Sequence, residues 1–124
     1  MPVPFASEFE RGILLYTEGR YWDAHEAWEQ VWRADRDASS ADFVQALILM
    51  TAAFHKLYVQ RRAPNAANML TRAMARLEKY PSPYFGIDTD ALRVALREVH
   101  ARIVAIDGTS EIPVGLAPRL RRSE

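Results

Sequence analysis

The sequence predicts an all-α, single-domain protein: a compact bundle of about five helices arranged as antiparallel hairpins, followed by an irregular C-terminal tail. Three observations carry that reading. No segment alternates apolar and polar residues with the period of two that a half-buried strand needs. Glycine, proline and polar clusters interrupt the chain every fifteen to twenty residues. Between these breaks, apolar residues recur at the three- and four-residue spacing that lines one face of a helix.

The first helix is expected over about Ser7 to Glu18, with Ser7 as its N-cap and Gly19 closing it in the left-handed conformation that glycine adopts freely. The second covers about Tyr21 to Ala34, and "DRDASSAD" is a polar connection after it. The third, about Ala41 to Gln60, is apolar nearly all round with a thin polar strip of Asp42, Gln45 and Lys56, which places it in the middle of the bundle. Pro64 suits the first turn of a fourth helix reaching about Tyr80, whose stripe Ala66, Ala67, Leu70, Ala73, Met74, Leu77 is a single apolar face. "YPSPYFGI" reads as a proline-rich loop with exposed aromatics, and Asp88 or Thr89 caps a fifth helix over about Asp90 to Ile106. Residues 1–108 make the helical domain; 109–124 make an extended tail, docked at Ile112 and Val114 and disordered at its basic end. A shift of 43 positions lays Ala24, Ala27 and Val31 on Ala67, Leu70 and Met74, a weak repeat in which small residues let antiparallel helices approach.

Composition narrows the function classes. The 124 residues are 49% hydrophobic and 26% charged, enough for a core and a soluble surface. A formal net charge of zero gives no nucleic-acid footprint. The longest apolar run, "ALILMTAAF", is too short to span a bilayer, and the opening "MPVPFASEFERG" lacks a secretory pattern. Without cysteine there are no disulfides and no thiolate chemistry, which fits a reducing, cytoplasmic setting.

Chemistry concentrates in "YWDAHEAWEQVWR" (residues 21–33). Residues four apart stack on one helical face, so His25 and Glu29 point into the same space, while Glu26 projects further round. Tyr21, Ala24, Ala27, Trp28, Val31 and Trp32 form the core stripe; His25 sits at its edge beside Trp32, so Tyr21, Trp28 and Trp32 are the expected wall of a pocket floored by the imidazole and the carboxylate. The three tryptophans cannot all face one core, so Trp22 is expected to face a neighbour, a pocket or a homodimer partner. His55 shares a face with Val44, Ile48, Thr51 and Val59 and is expected to be buried. Antiparallel packing of helices two and three would bring it toward His25 and Glu29. Two imidazoles and a carboxylate are a ligand set for one zinc, iron or manganese ion with a position open to water. Without a metal, a carboxylate-paired histidine near neutral pH can act as a general base, or the group can be a structural polar network. HEAWE is not the zinc-protease pattern, since its second histidine is a glutamate. His100 reads as structural or surface, and the Arg72, Arg76, Lys79 row as a solvated face.

"EGRYWDAHEAWEQVWR", "FVQALILMTAAFHK", "NAANMLTRAMARLEKYP" and "YFGIDTDALR" resemble, in order, domain-of-unknown-function family 309, over about residues 9 to 97. The resemblance implies a compact helical bundle and a metal-dependent hydrolase. It picks out His25, Glu26, Glu29 and Trp32 on helix two, and Gln45 and His55 on helix three. The chain departs from the family pattern at Ala46 and Leu49, where glycine and glutamine are usual, and at "APNAAN", which replaces a glycine-rich opening. Two functions follow. In one, His25, Glu29 and His55 hold a divalent metal and Glu26 or Gln45 orients a ligand or water for hydrolysis. In the other, the protein is a non-enzymatic module that binds a small molecule or protein, HEAWE fixes helix packing, and Trp22 and the Tyr84–Phe85 loop make the contacts. No motif identifies the ligand or partner.

Overall fold

The computed structural model describes residues 5–106 and 111–122. Five helices follow one another: α1 (Phe5–Thr17), α2 (Tyr21–Ala34), α3 (Ala41–Tyr58), α4 (Ala63–Leu77) and α5 (Thr89–Val104). Among the described residues, extended pairing is limited to isolated bridges at Tyr84, Ile87 and Arg122. Each helix packs chiefly on its neighbours in sequence, so the hairpins form a row rather than a ring.

The all-round apolar character of α3 puts it inside that row. Phe43, Leu47, Met50, Ala53, Phe54 and Leu57 are fully buried, and Asp42, Gln45 and Lys56 remain half-buried on the strip that reaches water. Its N-terminus is finished by a distant side chain. Ser40 makes no side-chain cap; instead the Tyr80 hydroxyl accepts from the Phe43 N–H (3.0 Å) and donates to the Ser39 carbonyl (2.8 Å). One phenol thus satisfies a first-turn donor that would otherwise be orphaned.

At the end of α1, Gly19 has φ +79 and its N–H bonds the Tyr16 carbonyl while the Arg20 N–H reaches back to Leu15. That pair of bonds closes a helix on a left-handed residue. Ser7 is not the cap expected for this helix: α1 is already under way at Phe5, so Ser7 lies inside it and the capping position is outside the described residues. Gly12 has a different role. A Cβ built there would lie 2.2 Å from Nε1 of Trp28. The indole is completely buried against α1 and donates to the Phe9 carbonyl at 3.1 Å.

Pro64 does open α4, and the predicted apolar stripe is buried except for a half-buried Met74. The helix stops at Leu77 rather than Tyr80 because the Arg93 guanidinium draws in the Leu77 and Tyr80 carbonyls at 3.0 Å each. Asp88 is the cap of α5; its carboxylate accepts the Ala91 N–H at 2.9 Å, and that bond, ahead of its neighbours' charges, holds the carboxyl below its usual range. Thr89, the alternative cap, is buried with its hydroxyl on the Pro81 carbonyl. His100 bonds the Thr71 hydroxyl at 3.0 Å, joining α5 to α4.

Two irregular segments close the row. The loop before α5, which contains a cis Ser82–Pro83 bond, carries Tyr84 and Phe85 back onto Phe43 and Phe9 (4.8 and 5.5 Å between ring centres). Its aromatics are therefore less free than expected: Tyr84 is half-buried, though Phe85 remains 40% exposed. The tail docks in part differently from the expectation. Ile112 packs partly buried against the core as expected, but Val114 is 90% exposed, and the deeper anchors are Leu116 and Leu120, both buried. The basic end is fixed through Arg122, which grips Glu10 with both terminal guanidinium nitrogens (2.7 and 3.1 Å).

Gly12→Ala should destabilise the fold by about 2 kcal/mol, overpacking against Trp28 outweighing the gain in helix propensity. Urea unfolding measures it, and an unchanged midpoint would contradict the close packing. Burial, with Tyr21 and Tyr58 nearby, raises the Tyr16 phenol well above its usual pKa; burial and Tyr58 raise that of Tyr21. Unfolded tyrosine ionises near pH ~10, so these contributions are full below that and drain away as pH climbs toward the folded values. Stability should decline above about pH 10, and more gently in Tyr16→Phe, which loses about 1 kcal/mol at neutral pH with its hydrogen bond. Chemical denaturation at a series of pH values tests both statements.

Candidate functional site

The α2–α3 pair is antiparallel: Tyr21 at the start of α2 rings Phe54 and Tyr58 near the end of α3 (5.7 and 6.3 Å). The face of α2 toward α1 and α3 is taken by Ala24, Ala27, Trp28 and Val31. At 100° per residue, Trp22, His25 and Glu29 fall within about 60° of one another on one flank of that face. They form the site.

His25 and Glu29 meet as the spacing requires, Nε2 to Oε1 at 3.5 Å, too long for a strong hydrogen bond. The other oxygen of Glu29 is held by Arg33 at 2.7 Å, so the carboxylate bridges an imidazole and a guanidinium down one face of α2. Glu26 reaches the opposite edge of the ring, Oε1 to Nδ1 at 4.0 Å, closer than its position on the helix suggested. Nδ1 itself is buried without a hydrogen-bond partner. The imidazole is thus flanked by two carboxylates and firmly bonded to neither.

Its real partner is aromatic. Trp22 lies face to face with His25, ring centres 4.9 Å apart and planes 7° from parallel. The same indole meets His55 at 5.2 Å, tilted by 43°. Trp22 therefore covers both histidines while remaining 50% exposed. Helical side chains lean toward the N-terminus, which explains why His25 stacks on the residue three before it rather than on Trp32. Trp32 is half-buried with the Arg36 guanidinium 4.9 Å over its ring.

His55 is half-buried, not enclosed as expected. Its face-mates Val44, Ile48 and Thr51 are buried, but Val59, which caps the end of the helix, is 65% exposed. Gln45 stands ten residues earlier, about 15 Å along the helix axis, too far to share a ligand with His55. Of the expected pocket wall, Tyr21 is half-buried among tyrosines and Trp28 is in the core.

The family model described as "Domain of unknown function (DUF309)" matches residues 9–70. The chain belongs to that family. No curated protein matches it. The match runs from α1 into α4, so it contains Trp22, His25, Glu29 and His55, and it ends before the Tyr84–Arg93 stretch that the sequence resemblance had included.

A resident metal would need a third donor beside the two that His25 and Glu29 of this DUF309 chain bring together. The His25 Nε2 and Glu29 Oε1 separation suits two corners of a zinc tetrahedron. Trp22 lies against both His25 and His55, and among the described residues no three His, Asp or Glu side chains come together around one point. General-base chemistry faces a similar obstacle, since Nδ1 is shut from solvent and Nε2 faces Glu29. What the arrangement does hold firmly is an indole, presented at the surface by two imidazoles. The sequence reading places Trp22 among the exposed contact residues, as found, but misses its stacking on His25, although the three-residue spacing signals it, and misses Arg33, signalled by its four-residue spacing from Glu29.

Because Nδ1 is buried and unbonded, His25→Phe should keep the stack, remove the unpaired nitrogen and leave stability equal or higher. His25→Ala should lose about 1 kcal/mol, the worth of a ring pair beyond its area. Urea midpoints for the two variants decide it: a phenylalanine variant as unstable as the alanine one would mean that the nitrogen carries a bond.

Proposed function

We propose that this DUF309 protein is a non-enzymatic binding module whose contact surface is the α2–α3 seam at Trp22, with His25, Glu29 and Arg33 as the polar ladder that sets the indole's position. One observation carries the reading: Trp22 is half in water yet held in a fixed pose by two rings. Large rigid aromatics of this kind, pre-ordered before contact, are what anchor protein interfaces. Val59, one helical turn beyond His55, extends the apolar surface. The partner that suits it is a protein surface with an apolar pocket for the indole.

A metal-assisted hydrolase is the second reading. The 3.5 Å approach of His25 and Glu29 and the unbonded Nδ1 favour it; it requires a third donor from outside the residues gathered here.

Two measurements separate these. A photo-crosslinking residue placed at Val59 should capture a defined partner, and Trp22→Ala should abolish capture while changing stability by no more than about 1 kcal/mol. Alanine at Val94, exposed on α5, should leave capture intact. Metal content of protein purified without chelator should be well below one ion per chain. About one zinc, iron or manganese per chain, lost in His25→Ala, would overturn the module reading in favour of the hydrolase.

A further inference from the structure

The tail is bound as a ligand is bound. Residues 113–118 run along a face made by three tyrosines from three helices, Tyr16 of α1, Tyr21 of α2 and Tyr58 of α3, whose rings pack edge-on and stacked (5.7 and 6.3 Å). The Tyr58 hydroxyl donates to the Pro113 carbonyl (2.9 Å) and accepts the Leu116 N–H (3.0 Å); the Tyr16 hydroxyl donates to the Pro118 carbonyl (2.6 Å). Leu116 and Leu120 are buried. Beyond them the Arg121 carbonyl accepts the Asp88 N–H (2.8 Å), and Arg122 grips Glu10.

These contacts have the form of peptide recognition: phenols read the main-chain carbonyls of two prolines, Pro113 and Pro118, and two apolar side chains four residues apart, Leu116 and Leu120, are buried against the bundle. A cavity of about 440 Å³ remains between the tail and Tyr16, Thr17, Gly19 and Tyr21, so the face is wider than the segment that covers it. None of these bonds depends on the tail belonging to the same molecule.

We infer that the Tyr16–Tyr21–Tyr58 face is a docking groove for a proline-bearing segment that turns at Val114–Gly115, occupied in the monomer by residues 111–122 and open to the same segment of a second copy. The sequence seated there is this chain's own, which is the reason for choosing a second copy as the occupant. In the monomer the attached tail competes at a high local concentration, so docking in trans is suppressed until the tail is weakened.

The test uses full-length chains and a fluorescent peptide of residues 111–122. Leu116→Asp/Leu120→Asp frees the groove and should bind the peptide at least about tenfold more tightly than the wild type, because the competitor is gone. Adding Tyr16→Phe and Tyr58→Phe should weaken binding at least about tenfold, through the lost hydroxyl bonds. An equimolar mixture of the tail variant with Tyr16→Phe/Tyr58→Phe should form a dimer by light scattering, while each alone is monomeric. If the tail variant loses its helical signal, Arg122→Glu, on an exposed side chain, replaces it in both experiments. Peptide affinity equal to that of the wild type in a folded tail variant would overturn the groove. Peptide binding with a mixture that stays monomeric would overturn the second copy as occupant and assign the groove to another protein.

Discussion

The position of every other side chain on α2 follows from where Trp28 goes. Its indole is wholly buried, bonded to the Phe9 carbonyl, and lies where a side chain at residue 12 would otherwise be. Helix α1 can come that close only over a glycine. Once the indole is committed to α1, rotation of α2 is fixed: Ala24, Ala27 and Val31 turn inward, and Trp22, His25 and Glu29 are left on the flank toward the end of α3. An exposed tryptophan stacked on a histidine is thus a consequence of a buried tryptophan six residues later. The histidine ladder is the outer edge of the same packing.

A row of helices has two free ends, and this one is tied by long-range bonds to backbone atoms. Tyr80 caps α3 from 37 residues away, Arg93 gathers the last carbonyls of α4, and Tyr16 and Tyr58 hold the tail. Each uses a side-chain donor or acceptor to satisfy main-chain groups that a helix end or an extended strand leaves open. Their place at the margins fits helix ends and a tail whose main-chain groups have no ladder partner of their own. These bonds also link α1 to the segment after α5, which the stacking of successive helices does not do by itself.

What was legible in the sequence was periodicity. The limits of α2, the central place of α3, the apolar stripe of α4 and the Asp88 cap could all be read from residue spacing and local chemistry. What was hidden involved partners distant in sequence. Gly12 looks like an ordinary, mildly unfavourable helix residue until the indole above it is known. Val114 is as apolar as its neighbours, yet it stays exposed while Leu116 and Leu120 are buried beside the tyrosine face. At the site, spacing correctly paired His25 with Glu29 and brought His55 to the same end of the bundle, but a helical wheel does not show how far an indole reaches. Trp22 fills the space in which the two imidazoles would have met.

The unbonded nitrogen of His25 sharpens what HEAWE is for. Stacking on Trp22 requires only a flat ring, and leaving a buried polar atom without a partner costs about 1–3 kcal/mol. A phenylalanine would supply the stack without that cost. The carboxylates on either side, at 3.5 and 4.0 Å, stand just beyond good bonding distance, so a small movement of the ring would let either nitrogen engage one of them. The polar ladder and the exposed aromatic are therefore one packed unit: the ring that leaves Nδ1 without a partner is the ring on which Trp22 lies.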